Sequence, residues 1–157
     1  MRENKQNKPE DDFYTLTGYQ QREQPELTPA MEDYLEMICR LAEESPVVRR
    51  REIAGHLHVS PASASKMTQQ LKEDGYINAE RYGYVSLTDK GRLVGQYLLF
   101  RHQVLHRFLC ALNGSSNELE QAEKLEHFLN PITVENLWQL TKRMEAGDPL
   151  DKTPAEY

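Results

Sequence analysis

Apolar residues recur at helical spacing through most of the chain, and the breaks between these runs divide it into a series of helices. In "TPAMEDYLEMICRLAEES", Met31, Tyr34, Leu35, Ile38 and Leu41 share one stripe, with Thr28 as the cap and Pro29 in the first turn. After Ser45 and Pro46, "RRREIAGHLHVSPASASKMTQQLKEDGYI" reads as helix, turn, helix. Ser60 caps the second of these helices, Pro61 fits its first turn, Met67 and Leu71 repeat along it, and Gly75 ends it. The period then shortens. "YINAERYGYVSLTDKG" predicts two short strands around a Tyr82-Gly83 turn, with Val85 and Leu87 on one face of the return strand.

From Thr88 or Asp89 a long helix is expected to about Leu112, carrying Leu98, His102, Leu105 and Leu109 on one stripe widened by Val94, Phe108 and Leu112. So long an apolar face is most simply buried against a second subunit. "NELEQAEKLEHFL" predicts a shorter helix, and "PITVENLWQLTKRMEAG" another between Pro131 and Gly147. The fold class is mainly α: an N-terminal winged helix-turn-helix with a two-stranded wing, followed by a C-terminal helical dimerisation domain. The expected boundaries are 28–90 and 91–147, between a mobile tail at 1–27 and a frayed one at 148–157.

A helix-turn-helix offers the start of its second helix to base edges, where small, hydroxylated or basic side chains suit close approach. Ser60, Ser63, Ser65 and Lys66 are of that kind, and Arg49, Arg50, Arg51 and Arg81 are candidate phosphate contacts. The bland alternative is a structural two-helix corner with solvated arginines. A formal net charge of -6 argues at first against a nucleic-acid partner. Its distribution reverses that inference: positions 46 to 107 hold ten Lys or Arg against five Asp or Glu, so a basic middle lies between acidic flanks.

With 38% hydrophobic and 28% charged residues, the composition is that of a soluble, helix-rich chain. No apolar run approaches the roughly 20 residues of a membrane span, and "MRENKQNKPEDDFY" lacks a secretory core. A cytoplasmic location is expected. Cys39 and Cys110, far apart in apolar helical patterns, suit buried reduced thiols better than a disulfide or a thiolate metal site.

Candidate chemistry lies in six other side chains. Glu123, Glu126 and His127 fall at i, i+3 and i+4 of the short helix and so share a stripe. His102 occupies an apolar stripe and needs partners for its ring nitrogens. Asp33 and Glu36 lie roughly opposite the apolar stripe of the first helix, which ordinarily means a solvated acidic face. Four carboxylates and two imidazoles would suit Mn(II) or Fe(II), with no thiolate to favour Zn(II). Spacing alone does not bring the three helices together.

From Thr28 to about Glu145 the chain resembles the diphtheria-toxin-repressor family of metal-dependent regulators, in particular its manganese branch. The resemblance rests on "TPAMEDYLEMI", "VSPASASKM", "LTDKGR", "RHQVLHRFL" and "EKLEHFL", in that order. It implies a winged helix, a helical dimerisation region and a regulatory metal site between them. By position it implies that Asp33, Glu36, His102, Glu123, Glu126 and His127 are the ligands, with two ions possible per subunit. Iron-responsive relatives tend to have methionine at the position of Asp33 and cysteine at that of Glu123, so the carboxylates here point to manganese. Two residues depart from the pattern: Lys124 replaces a common glycine, and Phe128 replaces the second histidine of a pair. The chain also stops short of the SH3-like third domain of iron-type members.

The expected function is that of a homodimer binding a palindromic operator in double-stranded DNA when Mn(II) is present, repressing manganese uptake. Alternatives are an iron-responsive regulator of the same family and a winged-helix regulator answering to a small organic effector. An enzyme is not expected, because no nucleophile or substrate pocket is evident.

Overall fold

The computed structural model describes residues 27–148. The mobile and frayed tails expected on either side lie outside the described residues, except that Leu27 packs into the core and the Asp148 amide donates to the Arg143 carbonyl. Among the described residues six α-helices and three short strands follow in the order α1 (Pro29–Ala42), β1 (Val48–Arg49), α2 (Arg50–Leu57), α3 (Pro61–Glu73), β2 (Ile77–Ala79), β3 (Tyr84–Leu87), α4 (Asp89–Asn113), α5 (Leu119–Leu125) and α6 (Pro131–Glu145).

The caps expected at Thr28 and Ser60 form, and Asn130 supplies a third that was not anticipated. Thr28 Oγ1 accepts from the Met31 amide at 3.3 Å, Ser60 Oγ from the Ser63 amide at 3.1 Å, and Asn130 Oδ1 from the Thr133 amide at 2.8 Å. Each satisfies an amide that the helix leaves without an internal acceptor, and each cap precedes a proline at the first helical position. Tyr82 and Gly83 take φ of 61° and 76°, the left-handed conformation of a tight hairpin turn. The wing carries one strand more than expected. β1 joins the far edge of β3 to give the order β1-β3-β2, all antiparallel, with Val48 opposite Val85 and Ile77 opposite Leu87. Val48, Ile77 and Val85 face inward at 2, 1 and 0% exposure, so the third strand completes an apolar floor.

Two cores result. The larger is built on Leu35, Ile38, Ile53, Leu71, Ile77 and Val85 and includes Leu98 from α4. The smaller joins Leu105 and Leu109 of α4 to Ala122 of α5, with Phe108, Leu129 and Leu137 at its edge. The stripe Leu98, His102, Leu105 and Leu109 is therefore consumed within the subunit, because α1, α5 and α6 all pack on α4. The large apolar side chains left exposed from α4 onward are others: Leu93, Leu112, Leu119, Leu125, Phe128 and Ile132. Cys39 and Cys110 are free thiols, the first buried and the second partly so.

Helix α4 is tied to the winged helix at two places. At its start, Thr88 caps the Gly91 amide at 3.0 Å, and the Thr88 amide donates to the Tyr76 carbonyl at 3.1 Å. Gly91 itself sits so close that a Cβ would lie 1.8 Å from the Tyr76 carbonyl oxygen. One turn further, a Cβ on Gly95 would lie 2.9 Å from Cys39 Cβ, so the absent side chain lets α4 approach α1. Cys39 follows Glu36 by three residues and Gly95 precedes His102 by about two turns, so this approach brings those two side chains to a common cleft.

Candidate metal centre

All six expected residues converge, from three directions. Asp33 and Glu36 come from α1, His102 from α4 and Glu123 from α5. Glu126 and His127 stand on a 3-10 turn, Glu126–Phe128, because the α-helix stops at Leu125. The single helical stripe expected for Glu123, Glu126 and His127 is thus broken by a tighter turn, which drives Glu126 inward to 0% exposure. Two quartets form around it. Asp33, Glu123, Glu126 and His127 place one donor atom each within 4.8 Å of one another, and so do Glu36, His102, Glu123 and Glu126.

Hydrogen bonds hold this arrangement. His102 Nδ1 lies 2.8 Å from Glu126 Oε2 and 3.5 Å from Glu123 Oε1. His127 is held from both sides, with Nδ1 2.7 Å from Glu32 Oε2 and Nε2 3.1 Å from Asp33 Oδ1. Glu36 is 6% exposed, so it is no part of a solvated acidic face; Asp33 is only partly buried. Glu126 Oε1 is buried and has no hydrogen-bond partner. An orphaned carboxylate oxygen beside two further carboxylates is a strong reason to expect a cation, since such a group is unfavourable when left unpaired.

The titration behaviour follows from crowding. Burial pushes the Glu36 carboxyl up, and burial followed by the Glu126 charge does the same for Glu123. The bond with Glu126 raises His102 against the opposing effect of burial. His127 is pushed up to about 10, first by its bond to Asp33 and then by its bond to Glu32. An imidazolium with a donor on each nitrogen satisfies both carboxylates, so in this arrangement a proton occupies the His127 nitrogen that faces Asp33. A cation at that place has to displace it.

Three charged residues beside the quartets escaped sequence reasoning. Arg101 is 3% exposed and donates from Nη2 to Glu32 Oε2 at 2.6 Å. Burial pushes Glu32 up, yet the bonds from His127 and Arg101 outweigh it and hold the carboxyl low. The pair fixes which way the His127 ring faces. The spacing Leu98, Arg101, Leu105 contained the signal, because it places Arg101 on the buried stripe. Arg40, the third, donates to Glu36 Oε1 at 2.8 Å. Lys124, one of the two departures, pairs with Glu120 and so directs its charge to a residue outside both quartets. Phe128, the other, is 49% exposed.

The residues expected to meet DNA lie on β1, α2, the start of α3 and the wing turn. Ser60, Ser63, Ser65 and Lys66 are all exposed at the start of α3. Arg50 donates to Ser65 Oγ at 3.4 Å, which ties the start of α2 to that surface. Arg49 donates from Nε to the Tyr84 hydroxyl at 2.7 Å, while Arg51 is exposed and lines an open cleft with Tyr82 and Gly83. Arg81 is exposed at the wing turn, next to Tyr82 at 92% exposure. Among the described residues no helix is long and apolar enough to cross a membrane.

Known proteins share this combination. Residues 26–85 match the profile of the iron dependent repressor, N-terminal DNA binding domain, and residues 88–152 that of its metal binding and dimerisation domain. The HTH-type transcriptional regulator MntR of Bacillus subtilis (strain 168) is 36% identical over 126 residues, covering 80% of this chain and 89% of that protein. MntR of Geobacillus kaustophilus (strain HTA426) is 39% identical over 122 residues, covering 77% and 86%. Among solved structures, the manganese regulator SloR superposes with a TM-score of 0.62 at 27% identity, and the apo form of the manganese-activated repressor ScaR with 0.58 at 28%. These cover 78 and 74% of this chain but only 56 and 54% of the solved chains, so it spans little more than half their length. Two adjoining profiles span a DNA-reading half and a metal-binding half, and the structure joins those halves through α1 and α4 around the two quartets: the chain belongs to the iron-dependent-repressor family of metal-responsive transcriptional regulators, which are DNA-binding proteins and not enzymes.

Proposed function

We propose that this chain is a cytoplasmic, manganese-responsive repressor that acts as a homodimer on a palindromic operator and controls manganese uptake. The observation that carries the reading is the convergence of Asp33, Glu36, His102, Glu123, Glu126 and His127 into two quartets sharing Glu123 and Glu126. Each quartet offers three carboxylates and one imidazole, a set suited to Mn(II) or Fe(II), and sharing two carboxylates allows two ions per subunit. A bound divalent ion would pair with Glu126 Oε1, the buried carboxylate oxygen that has no hydrogen-bond partner. The names of SloR and ScaR associate similar folds with manganese, which supports Mn(II) over Fe(II).

The quartets join elements that belong to different cores. α1 lies under the helix-turn-helix, whereas α5 and the turn at Glu126 belong with the smaller core. Both quartets are complete only when α1, α4 and that turn stand as they do here. An effector shifts a conformational equilibrium only through its differential affinity for the two states, so the arrangement that completes the donor sets is the one it favours. In a dimer, that fixes the separation of the two α3 helices against successive major grooves.

Operator binding titrated against Mn(II), Fe(II) and Zn(II), with metal counted per chain, tests the reading. Mn(II) is expected to raise operator affinity well above the metal-free level and further than Zn(II) does. Equal activation by Zn(II) would remove the manganese assignment, and equal binding without metal would favour an organic effector. At the DNA face, Ser60, Ser63, Ser65 and Lys66 are read as the recognition surface, with Arg49, Arg50, Arg51 and Arg81 on phosphates. Lys66→Ala should reduce the slope of log affinity against log salt by about 1 if the ammonium meets a phosphate. An unaltered slope takes Lys66 off the contact surface.

A further inference from the structure

Arg49, Arg50 and Arg51 are the only run of three basic residues in the chain, and among the described residues none of them forms a salt bridge. They line an open cleft of about 600 Å³ with Tyr82, Gly83 and Tyr84 of the wing. The Arg49 guanidinium donates to the Tyr84 hydroxyl and lies 4.9 Å from the centre of its ring, and Arg50 donates to Ser65 Oγ, so both meet neutral groups. Glu52, the acidic residue next in sequence, turns its carboxylate to the Arg49 backbone amide instead. A cationic cleft walled by two tyrosines fits a ligand that brings several negative charges together with aromatic rings. The chain carries such a ligand. Glu10, Asp11 and Asp12 are its only run of three acidic residues, and Phe13 and Tyr14 follow them directly.

Resting on the reading that this cleft meets DNA phosphates, we propose that the segment from Glu10 to Tyr14 docks in the arginine cleft of its own subunit and competes there with DNA. Its reach is sufficient. Tyr14 precedes Leu27 by thirteen residues, which span up to roughly 40 Å when extended, and Leu27 packs in the same core as Val48 of β1, the neighbour of Arg49. Because the segment is tethered, it faces the cleft at an effective concentration in the millimolar range, so weak contacts are enough to occupy it. The carboxylates pair with the guanidiniums, and the two rings lie against the tyrosines and the flat faces of the arginines. Exposed ion pairs of this kind are individually weak, so three of them lower DNA affinity only about fivefold. A duplex displaces the segment by bringing more phosphates and releasing counterions, and salt weakens both sides of the competition.

The full chain, metal-free and in low salt, tests this with a duplex of about 30 base pairs of arbitrary sequence, since phosphate contacts do not depend on the operator. Combining Glu10→Gln, Asp11→Asn and Asp12→Asn should raise duplex affinity about fivefold. Phe13→Ala with Tyr14→Ala, which alters no charge, should move it in the same direction. Glu3→Gln, Glu23→Gln and Glu26→Gln together remove as much charge from the same part of the chain and should leave affinity within about twofold of the parent. Without DNA, the side-chain NMR signals of Arg49, Arg50 and Arg51 should shift when Glu10, Asp11 and Asp12 are neutralised and stay in place in the Glu3, Glu23 and Glu26 variant. Unmoved arginine signals, or an equal gain in affinity in that control, overturn the docking. Shifted signals with unchanged duplex affinity overturn the competition and take the cleft off the DNA face as well. Docking that fails while Arg50→Ala and Arg51→Ala still weaken duplex binding leaves the proposed function standing.

Discussion

Glu126→Gln is expected to abolish the response of operator binding to Mn(II) while leaving the metal-free protein about as stable as the parent. Glu126 belongs to both quartets, so its loss removes a donor from each at once, unlike the loss of Asp33 or Glu36. Changes to residues that merely orient ligands typically cost 10–100-fold in metal affinity, so losing a shared ligand should cost roughly a hundredfold or more. The amide oxygen of glutamine still accepts a hydrogen bond at the place where His102 Nδ1 meets Glu126 Oε2. It also removes a charge from beside Glu36 and Glu123, and metal-free unfolding should therefore change by no more than about 1 kcal/mol. Stabilisation by the ion should disappear, an effect of about 2.7 kcal/mol at a hundred times the dissociation constant. Gel shift and denaturation, each with and without Mn(II), read the two halves of the expectation. Retained metal-dependent operator binding would show that neither quartet is the regulatory site.

The largest loss of stability is expected from Gly91→Ala. The new Cβ would lie 1.8 Å from the Tyr76 carbonyl oxygen and 2.8 Å from its carbon, and both are backbone atoms that no rotamer change can move. Either α4 shifts or the Thr88 junction opens. The expected penalty is roughly 3 kcal/mol or more, a large part of the 5–15 kcal/mol of a typical domain. It should appear as a fall of roughly 10 °C or more in Tm, or as failure to fold. Gly55→Ala is the control, because nothing lies within 4 Å of a Cβ there and the residue is inside α2. It should be neutral or stabilising by up to about 1 kcal/mol. A Gly91→Ala protein that melts with the parent would mean the junction is loose.

What was legible in the sequence was what short-range chemistry decides. Thr28 with Pro29 and Ser60 with Pro61 announce helix starts because a capping oxygen and a missing amide act within one turn. Tyr82 and Gly83 mark the wing turn for the same local reason. β1 was not legible: two residues carry no alternation, and Val48–Arg49 is a strand only because β3 offers a free edge. The stop at Leu125 was hidden too, since Glu123, Glu126 and His127 keep helical spacing whether the turn is α or 3-10. For the site, residue type and spacing suggested a metal, and family resemblance supplied the set of six. Glu32 and Arg101 stayed out of sight because a charge's role depends on what faces it, and their partners lie on elements distant in sequence; Arg40 meets Glu36 one turn away, but the cleft that Glu36 lines is completed by His102 and Glu123 from distant helices.

Helix α4 also constrains how the chain can vary in length. Its start is fixed at Gly91 against Tyr76, its first core contact at Gly95 against Cys39, and its candidate ligand at His102. A helix advances about 100° per residue, so inserting or deleting one residue between Gly95 and His102 would rotate the imidazole out of both reach and phase. Substitutions there are graded in effect, whereas a single-codon insertion or deletion is all or nothing. The loop at Ser115–Asn117, exposed and outside any helix, has no such phase to keep and is the place where the chain can change length without losing its register.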